Sequence, residues 1–278
     1  MSEFGPTKRA VMAGGILIAC GFFARTAAAR SVSRFAGRTA GTGTASHAAF
    51  DTLLSRRARN SRDGLVRVDY AGWKASSADL QALKAYITAL AGMNPLSLTR
   101  PEQFAYWANL YNAVTIDVVL EEYPVRSIRD VRSSVLIAGP WKKPVVTVGG
   151  VTLSLDDIEH EILRKGWSEP RVHYAVNCAS FSCPNLPLRA WRGAGLDAAL
   201  DGAARAYVNS TRAVRFDGDV LVVSSIYKWY AADFGGTDAR VIAHLARHAD
   251  EPLKARLQTS RRIGRDTYDW SLNATPRG

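Results

Sequence analysis

The chain has 278 residues, of which 36 are Lys or Arg and 25 are Asp or Glu, and 47% of its residues are hydrophobic. This composition excludes low-complexity, collagen-like and wholly disordered chains, and the length suits one or two domains that each bury a full core. Three cysteines are too few for a disulfide-dense miniprotein. The formal net charge of +11 comes from scattered basic residues, so we predict weak contact with anionic surfaces and no nucleic-acid partner.

Residues 1–29 have the pattern of a secretory signal segment. Lys8 and Arg9 precede an apolar run over Ala10–Ala24, and the small residues Ala27–Ala29 follow. The run is shorter than the about 20 residues that a membrane-spanning helix needs, so we predict cleavage and export to the periplasm rather than a retained anchor. Cys20 closes a segment that also has the form of a lipoprotein cleavage box, and acylation there is the second interpretation.

The rest of the chain is predicted to be a flexible leader followed by one domain. Residues 30–46 are rich in Ser, Thr, Gly and Ala, which is typical of a flexible segment. Over 47–278 the apolar periodicity continues without repeats or a second linker. The sequence therefore predicts a single domain there.

The hydrophobic periodicity predicts many helices and few strands. Helices are predicted over 47–60, 76–91, 99–122, 154–165, 196–208, 225–231, 237–248 and 251–258. Hairpins are predicted where Gly149-Gly150 separates two β-prone runs and at Asp217-Gly218. Val172–Val176 is apolar on both faces, which predicts a central strand. These segregated elements indicate an α+β fold, with many helices around a small, mostly antiparallel sheet.

Two asparagines interrupt the otherwise apolar helix predicted over 99–122. Asn109 and Asn112 are three residues apart on one face of it. A buried amide without partners costs about 1–3 kcal/mol, so each side chain must meet a hydrogen-bonding group. Two interpretations follow: the pair ties loops to the core, or the amides serve a ligand or an active site.

The helix predicted over 154–165 places Glu159 inside its apolar arc. A carboxylate in that position needs a cationic or imidazole partner, and Arg164 and Arg171 are candidates for a structural ion pair. His160 lies about 100° round the helix from Glu159. The sequence therefore predicts that these two side chains do not easily aim at one point.

The segment RVHYAVNCASFSCPNLP carries a histidine and two cysteines. In an extended strand, His173 and Cys178 lie about 16 Å apart at roughly 3.3 Å per residue, so His173 is not predicted to activate Cys178 directly. His160 is the nearest other base along the chain. Cys178 and Cys183 can form a small structural disulfide, or Cys178 can be a reactive thiol. No second Cys pair or His-x-His spacing points to a metal site, and no cofactor is predicted.

Five motifs occur in order between about residues 99 and 236: AYWANLYNAV, YPVRSI, SLDDIEHEILR, RVHYAVNCASFSCPNL and SSIYKWYAADFGG. Together with YDWSLN near the C-terminus they resemble the domain of unknown function 547 family. The resemblance implies an α+β domain of exported bacterial proteins and of plant proteins, without an established activity. It assigns no roles, but it puts on motif positions Asn109, Tyr111, Asn112, Glu159, His160, His173, Asn177, Cys178, Ser180 and Cys183. The predicted fold is also loosely similar to papain-like and transglutaminase-like folds, whose long helix begins with a Cys that this sequence lacks.

Two functions follow as hypotheses. In the first, a polar cleft binds an envelope peptide, a wall component or a partner protein without turnover, through Asn109, Tyr111, Asn112, Asn177 and Ser180. In the second, the domain is a thiol-dependent acyl-transfer enzyme with Cys178 as nucleophile, His160 or His173 as base and Glu159 orienting the imidazole. Both hypotheses expect Cys178, His173 and the two helix asparagines to line one cleft. The fold similarity favours the enzyme, whereas two cysteines separated by a short loop in an oxidising compartment favour a structural disulfide and thus the binding module, which we place first.

Overall fold

The computed structural model describes residues 32–134 and 137–276. The predicted signal segment, including Cys20, lies outside the described residues. The α-helices are α1 Ala48–Arg57, α2 Tyr70–Ala75, α3 Ser77–Ala91, α4 Arg100–Glu122, α5 Lys165–Trp167, α6 Val172–Ala175, α7 Leu196–Val208, α8 Ile226–Trp229, α9 Asp238–His248 and α10 Leu253–Thr259. A π-helix, Asp157–Arg164, runs directly into α5, and short 3-10 helices cover Pro95–Ser97, Ile128–Asp130 and Ala231–Phe234.

The strands are short and form several small sheets. They are β1 Ala58–Asn60, β2 Val66–Val68, β3 Arg132–Ser134, β4 Ile137–Ala138, β5 Val146–Val148, β6 Val151–Leu153, β7 Val214–Asp217, β8 Val220–Ser224 and β9 Arg265–Thr267. Three antiparallel pairs join β1 to β2, β3 to β4 and β5 to β6. In the remaining sheet β8 pairs antiparallel with β7 and parallel with β9. The predicted α+β class is confirmed.

Both predicted hairpins form at their glycines. Gly149 and Gly150 connect β5 to β6 with φ of 53° and 80°, and Gly218 connects β7 to β8 with φ of 60°. These angles lie in the left-handed region, which glycine enters without a steric penalty. The turn positions could therefore be predicted from residue type alone.

The long helix α4 organises the larger hydrophobic core. The Thr99 side chain caps its first turn by accepting a hydrogen bond from the Glu102 N–H, and Pro101 stands in that turn, where its missing N–H costs nothing. The helix ends at Glu122, and the next residue, Tyr123, has an extended backbone ahead of Pro124. Almost every residue between is buried, so the helix contacts other elements on all sides and fixes the positions of the loops around it.

A second, smaller core packs β7 and β8 against α7 and α9. The short helix α6 lies between the two cores, because Val172 and Ala175 belong to the larger core while Tyr174 belongs to the smaller one. The segment around α6 is therefore held from both sides.

The prediction of a central strand over Val172–Val176 is wrong. The segment is helical, and the N–H groups of His173 and Val176 donate to the carbonyls of Pro170 and Val172. A short apolar run that is buried all round has no helical or strand period to distinguish the two states. Tertiary packing on both sides of α6 decides the conformation.

Two boundaries also differ from the prediction. The first helix ends at Arg57 rather than at residue 60, because Ala58–Asn60 pairs with β2. Residues 32–46, predicted as a flexible leader, lie against the domain: the ring of Phe35 is 5.1 Å from that of Trp107, and the Gly41 N–H donates to the Leu98 carbonyl. Burial of Phe35 and the backbone hydrogen bonds of Gly41 and Gly43 offset part of the entropy lost by ordering this glycine-rich stretch.

Within the described ranges 32–134 and 137–276, no helix is long and apolar enough to cross a membrane.

Candidate functional site

A cavity of about 320 Å³ opens beside α6, and this volume is at the lower end of the range for small-molecule sites. Several separate parts of the chain contribute to it: α4, the π-helix, α6, α8 and the tail after β9. Its lining residues are Tyr111, Ala138, Gly139, Trp141, Lys142, Asp156, Glu159, His160, His173, Val176, Cys178, Cys183, Pro184, Ile226, Trp229, Tyr230, Tyr268 and Trp270.

Four large rings form one side of the cavity, here called the aromatic wall: Trp141, Trp229, Tyr268 and Trp270. Trp229 and Trp270 stack with their centroids 5.5 Å apart, and Tyr268 lies 4.6 Å from Trp270. Trp141 meets Trp270 edge to face at 5.6 Å. Trp229 is 50% exposed, whereas large apolar side chains of the described residues are mostly buried. The wall is therefore open to solvent at Trp229.

The two cysteines form a thiol pair that lines the cavity next to Tyr268 of the aromatic wall. Their Sγ atoms are 2.9 Å apart, and Cys178 Sγ also lies 3.2 Å from Ser180 Oγ and 3.3 Å from Tyr268 Oη. Both cysteines are free thiols in this structure, so the disulfide interpretation of the pair is not the state observed here. Cys183 is buried and Cys178 is half-buried.

The surroundings of the thiol pair separate the two pKa values. Hydrogen bonds from Cys183, Ser180 and Tyr268 outweigh the effect of burial and lower the pKa of Cys178 to about 7. Burial and the neighbouring Cys178 raise the pKa of Cys183 well above its ordinary value. Cys178 is therefore the member of the pair that becomes a thiolate near neutral pH.

The loop between the cysteines is folded by the residue that precedes it. Asn177 Oδ1 accepts from the Ala179 N–H at 2.9 Å, and Asn177 Nδ2 donates to the Pro184 carbonyl at 2.6 Å. Ala179 has a φ of 62°, which turns the chain back on itself. These contacts bring the two sulfur atoms together although four residues lie between the cysteines.

The imidazole of His173 lies between two carboxylates. Its Nε2 is 2.7 Å from Asp233 Oδ2 and its Nδ1 is 3.9 Å from Glu159 Oε1. The ring of Tyr230 stacks on the imidazole with centroids 4.3 Å apart. These contacts fix the ring, and only 2% of the His173 side chain is exposed.

Asp233 joins this imidazole to a guanidinium group. Arg164 donates to both carboxylate oxygens of Asp233, at 2.6 and 3.1 Å. Burial alone would raise the pKa of Asp233, but the hydrogen bonds from His173 and Arg164 lower it well below its ordinary value. The Asp233 carboxylate therefore stays ionised.

Glu159 lies close to both histidines of the cavity, contrary to the prediction from the helical angle. Its Oε1 is 3.9 Å from His160 Nδ1 and 3.9 Å from His173 Nδ1. The π-helix has one more residue in each hydrogen-bonded ring than an α-helix, which changes the directions of successive side chains. The suggested arginine partners bind elsewhere: Arg164 pairs with Asp233, and Arg171 pairs with carboxylates near α7.

The predicted binding asparagines do not line the cavity. Asn109 exchanges two hydrogen bonds of 2.9 Å with the backbone of Trp191. Asn112 donates to the Ala175 carbonyl and accepts from the Asn177 N–H. Both side chains thus tie loops to α4, as in the structural interpretation. The expected shared cleft contains Cys178 and His173 without these two asparagines.

The other predicted binding residues differ in their positions. Tyr111 lines the cavity. Ser180 contacts Cys178 and lies 2.7 Å from the Tyr268 hydroxyl, and Asn177 folds the cysteine loop. The aromatic wall was not predicted from the sequence, where the closely spaced aromatic residues in SSIYKWY and YDWSLN are the available signal.

Two further observations limit the chemistry of the site. Among the described residues, no group of three or more His, Cys, Asp and Glu side chains is arranged to hold a metal ion. Within the same ranges, the hydrogen-bond partners of Cys178 Sγ are a thiol and two hydroxyls, and no imidazole is among them. The site therefore offers a thiolate, an ordered imidazole–carboxylate cluster and an aromatic surface.

Comparison with known proteins supports the family resemblance for part of the chain. Residues 95–208 match the family described as a protein of unknown function, DUF547. This segment contains α4, the π-helix, α6 and both cysteines. No curated protein matches the chain significantly. No solved structure does so either.

Proposed function

We propose that the domain is an exported binding module that holds a sugar residue of a cell-wall polymer against the aromatic wall. The carrying observation is the solvent-exposed stack of Trp229 on Trp270 at the opening of a small cavity. A tryptophan ring that is half exposed at a cavity, and stacked on a second ring, offers a flat apolar face on which a ligand can pack. Export rests on the signal pattern of residues 1–29.

The composition of the cavity favours a sugar over a purely apolar ligand. A pyranose ring has an apolar face that stacks on an aromatic ring and an edge of hydroxyl groups that need hydrogen-bond partners. Asp156, Glu159 and Lys142 line the same cavity as the aromatic wall and supply acceptors and a donor. Burial raises the pKa of the Asp156 carboxyl, although His160 opposes the shift, so this group gains from a hydroxyl partner.

The size of the cavity favours one part of a polymer over a protein surface. Protein–protein interfaces bury about 1,200–2,000 Å² in total and are mostly flat, whereas small ligands occupy concave sites of about 300–1,000 Å³. The observed volume of about 320 Å³ is at the lower limit of the second class. A sugar ring with its substituents suits this volume.

Titration of the purified full chain with soluble disaccharide–peptide fragments of peptidoglycan tests the proposal, with tryptophan fluorescence as the readout. We expect a saturable change. Trp229→Ala should weaken binding about threefold to tenfold, because a stacked aromatic contact contributes about 0.5–1.5 kcal/mol. Val220→Ala is the matched control, since Val220 is 45% exposed and does not line the cavity. An absent response, or equal affinity of the Trp229 variant and the control, contradicts the proposal.

A second candidate function is thiol-dependent acyl transfer, which the low pKa of Cys178 on the cavity surface favours. An activated ester such as p-nitrophenyl acetate tests this candidate. If the domain is such an enzyme, the acyl group is transferred to Cys178, the resulting thioester is hydrolysed, and many molecules of ester are cleaved per protein. The His173→Gln variant should then hydrolyse the thioester more slowly. A single burst of nitrophenol without turnover shows a reactive thiol and rejects the candidate.

A further inference from the structure

We propose that Cys178 and Cys183 are a dithiol pair that exchanges with disulfides entering the cavity, with Cys178 as the attacking thiol and Cys183 as the resolving thiol. This activity goes beyond ligand binding. It depends on the cavity only as the route by which a disulfide reaches Cys178.

The first support is the distance and accessibility of the two sulfur atoms. They are 2.9 Å apart, so a disulfide forms with a small movement of the loop rather than a rearrangement of the core. Both residues line the cavity, and Cys178 is the more exposed of the two while Cys183 is 5% exposed. A disulfide in the cavity therefore reaches Cys178 first.

The second support is the difference in hydrogen bonding between the two sulfur atoms. Cys178 Sγ is approached by the Cys183 thiol and by the hydroxyls of Ser180 and Tyr268, which stabilise a thiolate. Cys183 Sγ instead accepts from the Cys178 N–H at 3.0 Å, which holds it beside its partner. Cys183 is thereby positioned to attack a bond formed at Cys178.

The exchange is balanced in two steps. The Cys178 thiolate attacks one sulfur of a substrate disulfide RSSR, the S–S bond breaks, and RS⁻ leaves with its electron pair. Cys183 then attacks the Cys178 sulfur of the mixed disulfide, the second RS⁻ leaves, and the Cys183 proton passes to a departing thiolate. In total the protein dithiol is oxidised to a disulfide, and RSSR is reduced to two thiols with one proton taken from solvent.

The loop is built to permit this bond. Asn177 holds both ends of the segment between the cysteines, through the Ala179 N–H and the Pro184 carbonyl. The tail crosses this segment as well, since the Phe181 N–H donates to the Ser271 carbonyl. The sulfur atoms are thus kept adjacent whether or not they are bonded.

Glutathione disulfide is the probe for the test, and the protein is the full chain with Cys20→Ser, which leaves Cys178 and Cys183 as its only thiols. We expect this protein to release two glutathione molecules and to lose two hydrogen atoms by intact mass. The Cys183→Ala variant should stop with one glutathione bound to Cys178. The Cys178→Ala variant should react at least about tenfold more slowly than the two-thiol protein, because its remaining thiol is buried and lacks thiolate character.

Several outcomes overturn the proposal. They are a stable glutathione adduct on the protein that carries both thiols, attack that begins at Cys183, and no reaction at all. The number of glutathione molecules released is measured on the two-thiol protein itself. The proposal can therefore be tested even if the Cys178 or Cys183 variant does not fold. Circular dichroism checks the fold of each variant.

Failure of this proposal and failure of the sugar-binding proposal are separable. Thiol exchange is read by mass and by free glutathione, and sugar binding is read by fluorescence.

Discussion

Asn112 on the long helix α4 holds Asn177 by accepting a hydrogen bond of 2.8 Å from its backbone N–H, and donates at 2.9 Å to the carbonyl of Ala175. The buried amide therefore grips the chain on both sides of Val176. His173 lies just before this point and Cys178 just after it. A residue that does not line the cavity thus sets the relative positions of the imidazole and the thiol.

Replacing Asn112 by Ala should lower the free energy of unfolding by about 1–3 kcal/mol, because the buried Asn177 N–H loses its partner and the Ala175 carbonyl keeps only the Trp191 indole N–H as a donor. Chemical denaturation measures the change. Asn60→Ala is the matched control, since Asn60 is exposed at the end of β1. If the two variants are equally stable, the amide does not hold the segment.

Replacing Glu159 by Gln should also destabilise the fold by about 1–3 kcal/mol. Only 10% of the Glu159 side chain is exposed, and its Oε1 lies 3.9 Å from the Nδ1 atoms of His160 and His173. Glu161→Gln on the same helix is the control, because Glu161 is 40% exposed and its pair with Lys165 is a surface ion pair of about 0–1 kcal/mol. Overlapping denaturation curves of the Glu159 variant and the unmodified chain contradict this prediction.

Stability should fall as the pH is lowered from about 6.5 towards 4. Burial lowers the pKa values of His47 and His244 to about 4. Between pH 6.5 and 4 these histidines are protonated in the unfolded chain, where their pKa is about 6.5, but not in the folded chain. Each of them therefore lowers the free energy of unfolding by up to about 1.4 kcal/mol per pH unit in this window. Above pH 6.5 both histidines are neutral in both states, and this loss of stability is absent.

Two variants test the origin of this slope. Asn at position 47 keeps an amide near the Tyr86 hydroxyl, which lies 2.7 Å from His47 Nδ1, and Gln at position 244 keeps one near the Tyr174 hydroxyl, 2.7 Å from His244 Nε2. His47→Asn and His244→Gln should each make the pH dependence of denaturation shallower between pH 6.5 and 5. An unchanged slope in both variants rejects the assignment.

Alkylation of Cys178 by iodoacetamide in the Cys20→Ser chain should follow a titration with its midpoint near pH 7. Free cysteine titrates near pH 8.5, so the midpoint reports the hydrogen bonds that stabilise the thiolate. Tyr268→Phe removes one donor and should raise the midpoint, whereas Tyr123→Phe, outside the cavity, should not. A midpoint at or above pH 8.5 in the unmodified site contradicts the prediction.

When the full chain is expressed in a bacterium that exports proteins to a periplasm, we expect a soluble periplasmic protein whose first residue is Arg30. Intact mass and cell fractionation measure this outcome. A diacylglycerol-modified Cys20 at the N-terminus, or a chain that keeps residues 1–29, contradicts it.

Residue types and spacing determined much of this protein directly. The boundaries of α3 and α4 and both glycine hairpins followed from capping residues, hydrophobic periodicity and turn chemistry, which act between near neighbours in the chain. The need of Asn109 and Asn112 for buried partners also followed, since it depends on an amide placed in an apolar helix. These properties are local, and the sequence carries them without the fold.

Only the tertiary structure decided the conformation of Val172–Ala175 and the composition of the cavity. A segment that is buried on every side has no hydrophobic periodicity that distinguishes a helix from a strand. Packing of the two cores against α6 therefore determines that this segment is helical. Asp233 contacts His173 and Tyr268 contacts Cys178 from segments tens of residues away, and Trp229 and Trp270 line the same cavity. Their placement depends on how β8, β9 and the C-terminal tail pack, and no local pattern in the sequence encodes that long-range arrangement.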